Sequence, residues 1–191
     1  MNLVSLEELV AGAKRGKVVS FPTDTVAGLA VLPEKSQLIF SLKNRPQNKP
    51  LILMGATGGD LWPYVRGSSE ELAIWQEVGA KYWPGALTLV LPSSDRTPLA
   101  MHPTEPESIG IRIPNRSIAL TILSQTGPLA TTSANISGQP AIETMSEVAG
   151  VFQDILVLDT KEDNRGSGMP STVAKWTGTG WKILRRGSIK I

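Results

Sequence analysis

The feature that most constrains this chain is a series of short apolar runs, at residues 18–21, 51–54, 87–91, 109–113, 128–131, 155–158, 173–176 and 181–184. Each is too short to bury a helical face, and proline, glycine or small hydroxyl residues flank them, which is how strands start and stop in a core. Between several of them the spacing turns helical: Leu6, Leu9, Val10 and Ala13; Leu38, Ile39 and Leu42; Leu72, Trp75, Val78 and Tyr82; Ala119, Ile122 and Leu123. Ser5-Leu6-Glu7-Glu8 and Thr144-Met145-Ser146-Glu147 are capping boxes that open helices. Strands alternating with helices predict an α/β fold. At 191 residues and 41% hydrophobic content, with no repeat and no long linker, residues 1–191 are expected to form a single domain.

Composition removes several chemistries. No cysteine is present, so thiol nucleophiles, disulfides and zinc–thiolate sites are excluded. The one histidine, His102, lies in a proline-rich loop, which argues against a histidine metal cluster and a serine–histidine mechanism. Glu7 and Glu8 interrupt the apolar residues at the N-terminus, so it does not read as a signal peptide, and no run reaches membrane-spanning length. A cytoplasmic protein is expected. The formal charge of +2 is compatible with phosphate or RNA but too small to mark a general nucleic-acid binder.

Local clustering of charge is more informative. Lys43, Arg45 and Lys49 fall between a helical pattern and a strand, beside Pro46 and Pro50. Proline disfavours the α region for the residue before it, so the helix is expected to end near Lys43 and leave Lys43 and Arg45 on one side of an exposed, extended exit. Such a pair can hold an anion, or Lys43 can simply complement a helix C-terminus with Arg45 solvated. Pro22-Thr23-Asp24-Thr25 follows a strand, where α/β sheets place ligands, although local hydrogen bonding alone would explain such a turn. In 109–113 the three isoleucines alternate with Gly110 and Arg112, so Arg112 needs a ligand anion, a structural carboxylate or water.

Thr131-Thr132-Ser133-Ala134-Asn135 and Gly166-Ser167-Gly168-Met169-Pro170-Ser171-Thr172 are runs of small donors and acceptors suited to phosphate oxygens or to ordinary polar turns. Arg185 follows directly on the last strand. Residues 92–108 read as a mobile flap over a site, 55–59 as a flexible turn, and Trp62, Trp75 and Trp83 as packing residues. Gly12-Ala13-Lys14-Arg15-Gly16-Lys17 is one residue short of a P-loop and lacks its Ser or Thr, and no dinucleotide fingerprint occurs. The remaining inventory is four cations, Lys43, Arg45, Arg112 and Arg185, with Thr23, Ser133, Asn135 and Ser171, mostly at strand ends. It favours transfer chemistry run by positioning and charge stabilisation, as in phosphoryl and nucleotidyl transfer.

Taken in order, Pro22-Thr23-Asp24-Thr25 with Gly28-Leu29, Lys43-Asn44-Arg45-Pro46 with Lys49-Pro50-Leu51, Trp83-Pro84-Gly85 with Thr88, Arg112-Ile113-Pro114, Ser133-Ala134-Asn135 with Ser137-Gly138, Ser171-Thr172-Val173, and Leu184-Arg185 with Gly187 resemble the YrdC/TsaC-type threonylcarbamoyl-AMP synthases in their short form. The resemblance runs from about Val18 to Gly187. It implies a twisted, mostly open mixed sheet with flanking helices and a large basic concave cavity. It also implies a reaction, in which L-threonine, bicarbonate and ATP give threonylcarbamoyl-AMP and pyrophosphate. That is the first step towards N6-threonylcarbamoyladenosine at tRNA position 37.

By motif position, the resemblance implies that Lys43, Arg45, Ser133, Asn135 and Arg185 hold ATP, with Lys43 and Arg45 acting on the reacting phosphates. Thr23, Arg112, Thr131 and Ser171 would hold threonine. Mg2+ is expected with ATP on its phosphate oxygens rather than on the protein. Implied partners are tRNA or other RNA and the downstream threonylcarbamoyl transferase complex. Family members commonly have tyrosine where this chain has Ala27, and a hydroxyl residue at Ala141. Other readings of the same inventory are an RNA-binding protein with a vestigial nucleotide site and a paralogue acting on another carbamoyl substrate.

Overall fold

The computed structural model describes residues 2–160 and 165–191. The apolar runs become strands of one sheet: β1 (Leu3–Val4), β2 (Val19–Phe21), β3 (Gly28–Val31), β4 (Ile52–Met54), β5 (Leu87–Pro92), β6 (Ser108–Arg112), β7 (Leu129–Ser133), β8 (Leu156–Leu158), β9 (Thr172–Trp176) and β10 (Trp181–Arg185). Their order is β1-β8-β2-β3-β7-β4-β6-β5-β9-β10. The sheet is mixed: β8 runs parallel to β1 and β2, β4 to β6 and β5 to β9, while the other neighbouring pairs are antiparallel. The helices are α1 (Leu6–Lys14), α2 (Gln37–Lys43), α3 (Gly58–Leu61), α4 (Ser69–Tyr82), α5 (Ser117–Thr126) and α6 (Met145–Val151).

Alternation along the strands sorts the side chains into two apolar layers. Val19, Phe21, Ala30, Met54 and Leu129 face one side, where they pack with Leu9, Val10 and Ala13 of α1 and Ala119, Ile122 and Leu123 of α5. Leu29, Val31, Leu53 and Ala130 face the other, with Ile39 and Phe40 of α2, Leu61 of α3, Trp75 of α4 and Met145 and Val148 of α6. The expected capping boxes are present, Ser5 with Glu8 and Thr144 with Glu147, and Ser68 with Glu71 makes another at α4. Trp62, Trp75 and Trp83 pack as expected: Trp75 is fully buried and Trp62 stacks on Trp83 with ring centroids 5.5 Å apart.

Several expectations are corrected. Strands β1 and β3 fall where no strand was anticipated; β3 begins at Gly28, shortly after the Pro22–Thr25 turn. Residues 55–59 are not merely a flexible turn, because Thr57 caps α3 reciprocally with Asp60. Leu38 lies outside the core at 45% exposure, and Phe40 fills the position instead. Residues 92–108 do not form a flap over the site. Pro92 still belongs to β5, Met101 and His102 are buried, the Met101 carbonyl accepts from the Leu51 amide, and His102 Nδ1 bonds the Glu105 carbonyl.

The cationic exit is also different in kind. α2 ends at Lys43 as expected, but Asn44 turns left-handed at φ 48°, ψ 42°, and the Arg45 amide caps the Phe40 carbonyl. Lys43 is buried rather than exposed, and Arg45 is half-buried. No helix among the described residues is long and apolar enough to cross a membrane.

Candidate functional site

Strand ends converge on a cavity of about 290 Å3. The β2–β3 turn contributes Thr23 and Thr25, β3 its first residue Gly28, β6 its last residue Arg112, and β7 Thr131 to Ser133. Asn135, Ser171 and Arg185, which ends β10, complete the wall with Arg45 from the segment after α2. Of the sequence candidates, Thr23, Arg45, Arg112, Thr131, Ser133, Asn135, Ser171 and Arg185 therefore share one cavity. Ala27 and Ala141 line it too, so both departures from the family pattern fall on its wall. A larger groove of about 750 Å3 between α2 and the start of β8 has, among its described lining residues, only Lys17 and Asp154 charged.

Lys43 is not among the lining residues. Its ammonium donates to the Ser133 carbonyl and, at 3.1 Å, to Asn135 Oδ1, which puts it one layer behind the cavity. Burial pulls its pKa down to about 7, with the neighbouring Arg45 charge adding to the effect. Burial also lowers the pKa of Arg45, helped by repulsion from Arg185, and that of Arg112, against the opposing pull of Asp24. Arg185 thus repels both Arg45 and Arg112 across a wall without a carboxylate among its described residues. An anionic ligand would relieve that repulsion.

The hydrogen bonds show which groups remain available. Thr23 Oγ1 donates to the Val26 carbonyl at 2.7 Å and accepts from the Thr25 amide at 3.1 Å; Thr25 Oγ1 lies 3.0 Å away and supplies a second donor. One donor and two lone pairs are then used, and Thr23 can offer a ligand only its methyl and backbone. Asn135 is in the same state. Its Nδ2 donates to the carbonyls of Ile136 and Gln139, and its Oδ1 accepts from Lys43 and from Ser133 Oγ. Asn135 therefore fixes the loop, whereas Ser133 Oγ, and Thr131 Oγ1 with its donor on the Ile52 carbonyl, keep acceptor capacity. Ser171 Oγ pairs with Thr88 Oγ1 at 2.8 Å and accepts from Arg185 Nη2 at 3.0 Å, which anchors that arginine to the loop before β9. Arg45 is anchored by the carbonyls of Lys49 and Pro50.

Arg112 has the structural carboxylate that was one of its alternatives. Its Nη2 donates to Asp24 Oδ1 at 2.6 Å, its Nη1 to Thr25 Oγ1 at 3.0 Å and its Nε to the Gly85 carbonyl at 3.0 Å. Asp24 thus does more than the local hydrogen bonding that would explain its turn, reaching across to Arg112 in an ion pair whose side chains are 14% and 3% exposed. Sequence reasoning missed this role, and the available signal was a lone acid between two threonines at a strand end. Among the described residues no group of three His, Asp or Glu could hold a metal ion.

Residues 12–187 match the Sua5/YciO/YrdC family model, described as "Telomere recombination". A threonylcarbamoyl-AMP synthase of Vibrio campbellii is 32% identical over 189 residues, covering 96% of this chain and 99% of that protein. The crystal structure of Pyrococcus abyssi Sua5 complexed with L-threonine superposes with a TM-score of 0.85 at 32% identity, over 95% of this chain and 54% of that longer one. Escherichia coli YciO, at 19% identity, shares the fold with a TM-score of 0.81 over 96% of this chain and 89% of its own.

Proposed function

The chain belongs to the Sua5/YciO/YrdC family, and from that membership we infer that it is a threonylcarbamoyl-AMP synthase, a nucleotidyltransferase serving N6-threonylcarbamoyladenosine formation in tRNA. The observation that carries the site assignment is the meeting of Arg45, Arg112 and Arg185 with Ser133 and Ser171 in one cavity without lining carboxylates. Threonine's amine and bicarbonate give a carbamate and water. The carbamate oxygen attacks the α-phosphorus of ATP, the bond to the β-phosphoryl oxygen breaks, and pyrophosphate leaves. No protein nucleophile takes part, consistent with a chain that has no cysteine and one remote histidine.

Within that reaction the residues divide by availability. Arg45 and Arg185 neutralise phosphate charge as it moves onto pyrophosphate, and Ser133 and its loop cradle the phosphates. Arg112 holds the threonine carboxylate, with Thr131 and Ser171 beside it and Thr23 closing the wall by its methyl and backbone. Lys43 acts from behind and Asn135 from the wall to fix the Ser133–Asn135 loop, and Lys43 adds positive charge when the cavity fills. Mg2+ arrives with ATP on phosphate oxygens, because the lining residues offer it no carboxylate. The basic concave surface is the docking face for these anions, in a cytoplasmic enzyme whose unstable product passes to a tRNA-modifying transferase.

The test is pyrophosphate release from ATP by the pure protein, which should need both threonine and bicarbonate. Arg45→Ala should slow it on the order of a hundredfold with the fold unchanged. Release independent of threonine, or undiminished in the variant, would contradict the assignment.

A further inference from the structure

The Thr23–Thr25 turn is held from two sides. In front, Asp24 and Thr25 take Arg112 Nη2 and Nη1, and the Gly85 carbonyl takes Nε. Behind, the backbone of the Gly166–Gly168 segment docks on the same turn: the Ser167 amide donates to the Asp24 carbonyl at 3.0 Å and the Gly168 amide to the Thr25 carbonyl at 2.9 Å. Gly166 lies so close that a Cβ on it would collide with the carbonyl oxygens of Thr25 and Thr23. Gly168, at φ +70°, completes a bend that other side chains rarely adopt. The ordering continues inward, since Thr25 Oγ1, accepting from Arg112, is left to donate to Thr23 Oγ1, whose proton goes to the Val26 carbonyl.

We propose that Asp24 and Gly166 are positioning residues that orient Arg112 for the carboxylate of the amino acid in the threonine subsite. The Gly166–Gly168 backbone presses the turn forward, Asp24 and Thr25 fix both terminal nitrogens of the guanidinium, and one N–H on each of those nitrogens stays unclaimed by these partners. A buried arginine held in this way presents two fixed donors to a carboxylate. The glycine pair then has a role that phosphate cradling does not explain.

The proposal rests on the synthase reading, and its test separates the two. Asp24→Asn and Gly166→Ala should each raise the KM for threonine at least tenfold while the KM for ATP stays within about twofold. Combining Asp24→Asn with Arg112→Gln should cost no more than Arg112→Gln alone, because both act through one group. Independently of turnover, Arg112 Nε–H should exchange slowly with solvent by NMR and lose that protection in Asp24→Asn and Gly166→Ala. If Asp24→Asn does not fold, Gly166→Ala and Thr25→Val carry the same readouts. Equal rises in both KM values, or an unchanged threonine KM with unchanged protection, would overturn the clamp. A wild-type protein inactive with threonine but showing the protection would overturn the synthase reading and leave the clamp.

Discussion

Lys43 titrates near 7 in the folded chain, against 10.5 as a free side chain, chiefly because it is buried behind the Ser133–Asn135 loop. Between those values the unfolded chain holds a proton that the folded chain lacks, so the lysine makes stability rise with pH across this window and fall as pH drops towards 7. Urea unfolding from pH 7 to 10 should show that slope in the wild type and a flatter one in Lys43→Met. Filling the cavity with phosphates favours the ammonium form, so ATP binding at pH 8 should take up a fraction of a proton. Calorimetry in buffers of different ionisation heat should detect the uptake, and Lys43→Met should abolish it. Arg112 makes a second residue-scale prediction. Its three partners suit a planar fork and not a lysine ammonium, so Arg112→Lys should weaken threonine use at least tenfold, read as kcat/KM.

At the scale of elements, the loop after β7 is held by Asn135, whose amide bonds only to the protein. Asn135→Ala should cost roughly 1–3 kcal/mol by leaving partners unsatisfied and raise the KM for ATP, seen as a lower melting temperature and weaker nucleotide titration together. α4 provides the contrast. Its Ser68–Glu71 capping box lies away from the cavity, so Ser68→Ala should cost about 1 kcal/mol without changing kcat/KM. Most elements were legible because periodicity and caps are local: the boxes at Ser5 and Thr144 formed where the pattern put them. β3 was not, because Gly28-Leu29-Ala30-Val31 follows directly on a polar turn and becomes a strand only by pairing with β2 and β7. The Lys43 exit was misread for a similar reason, since Pro46 predicts where α2 ends but not that Lys43 lies on the buried face of α2 with Ile39 and Phe40.

For the whole molecule, residue types at strand ends were enough to gather the cavity's candidates. Their division of labour was not legible. That Asp24 pairs with Arg112 across 88 residues of sequence is a consequence of the sheet order that places β3, β7, β4 and β6 side by side, whereas Thr23 and Asn135 are used up mostly by near neighbours in sequence. The same order sets Arg45, Arg112 and Arg185 on one wall while both apolar layers stay closed by helices, so the charge strain collects where an anionic substrate can relieve it. The most direct measurement is mass spectrometry of the pure protein mixed with ATP, L-threonine and 13C-labelled bicarbonate. A species with the mass of threonylcarbamoyl-AMP carrying one heavy carbon, absent when threonine is omitted and strongly reduced in Arg45→Ala, is the predicted result. AMP or ADP with no labelled adduct would contradict it.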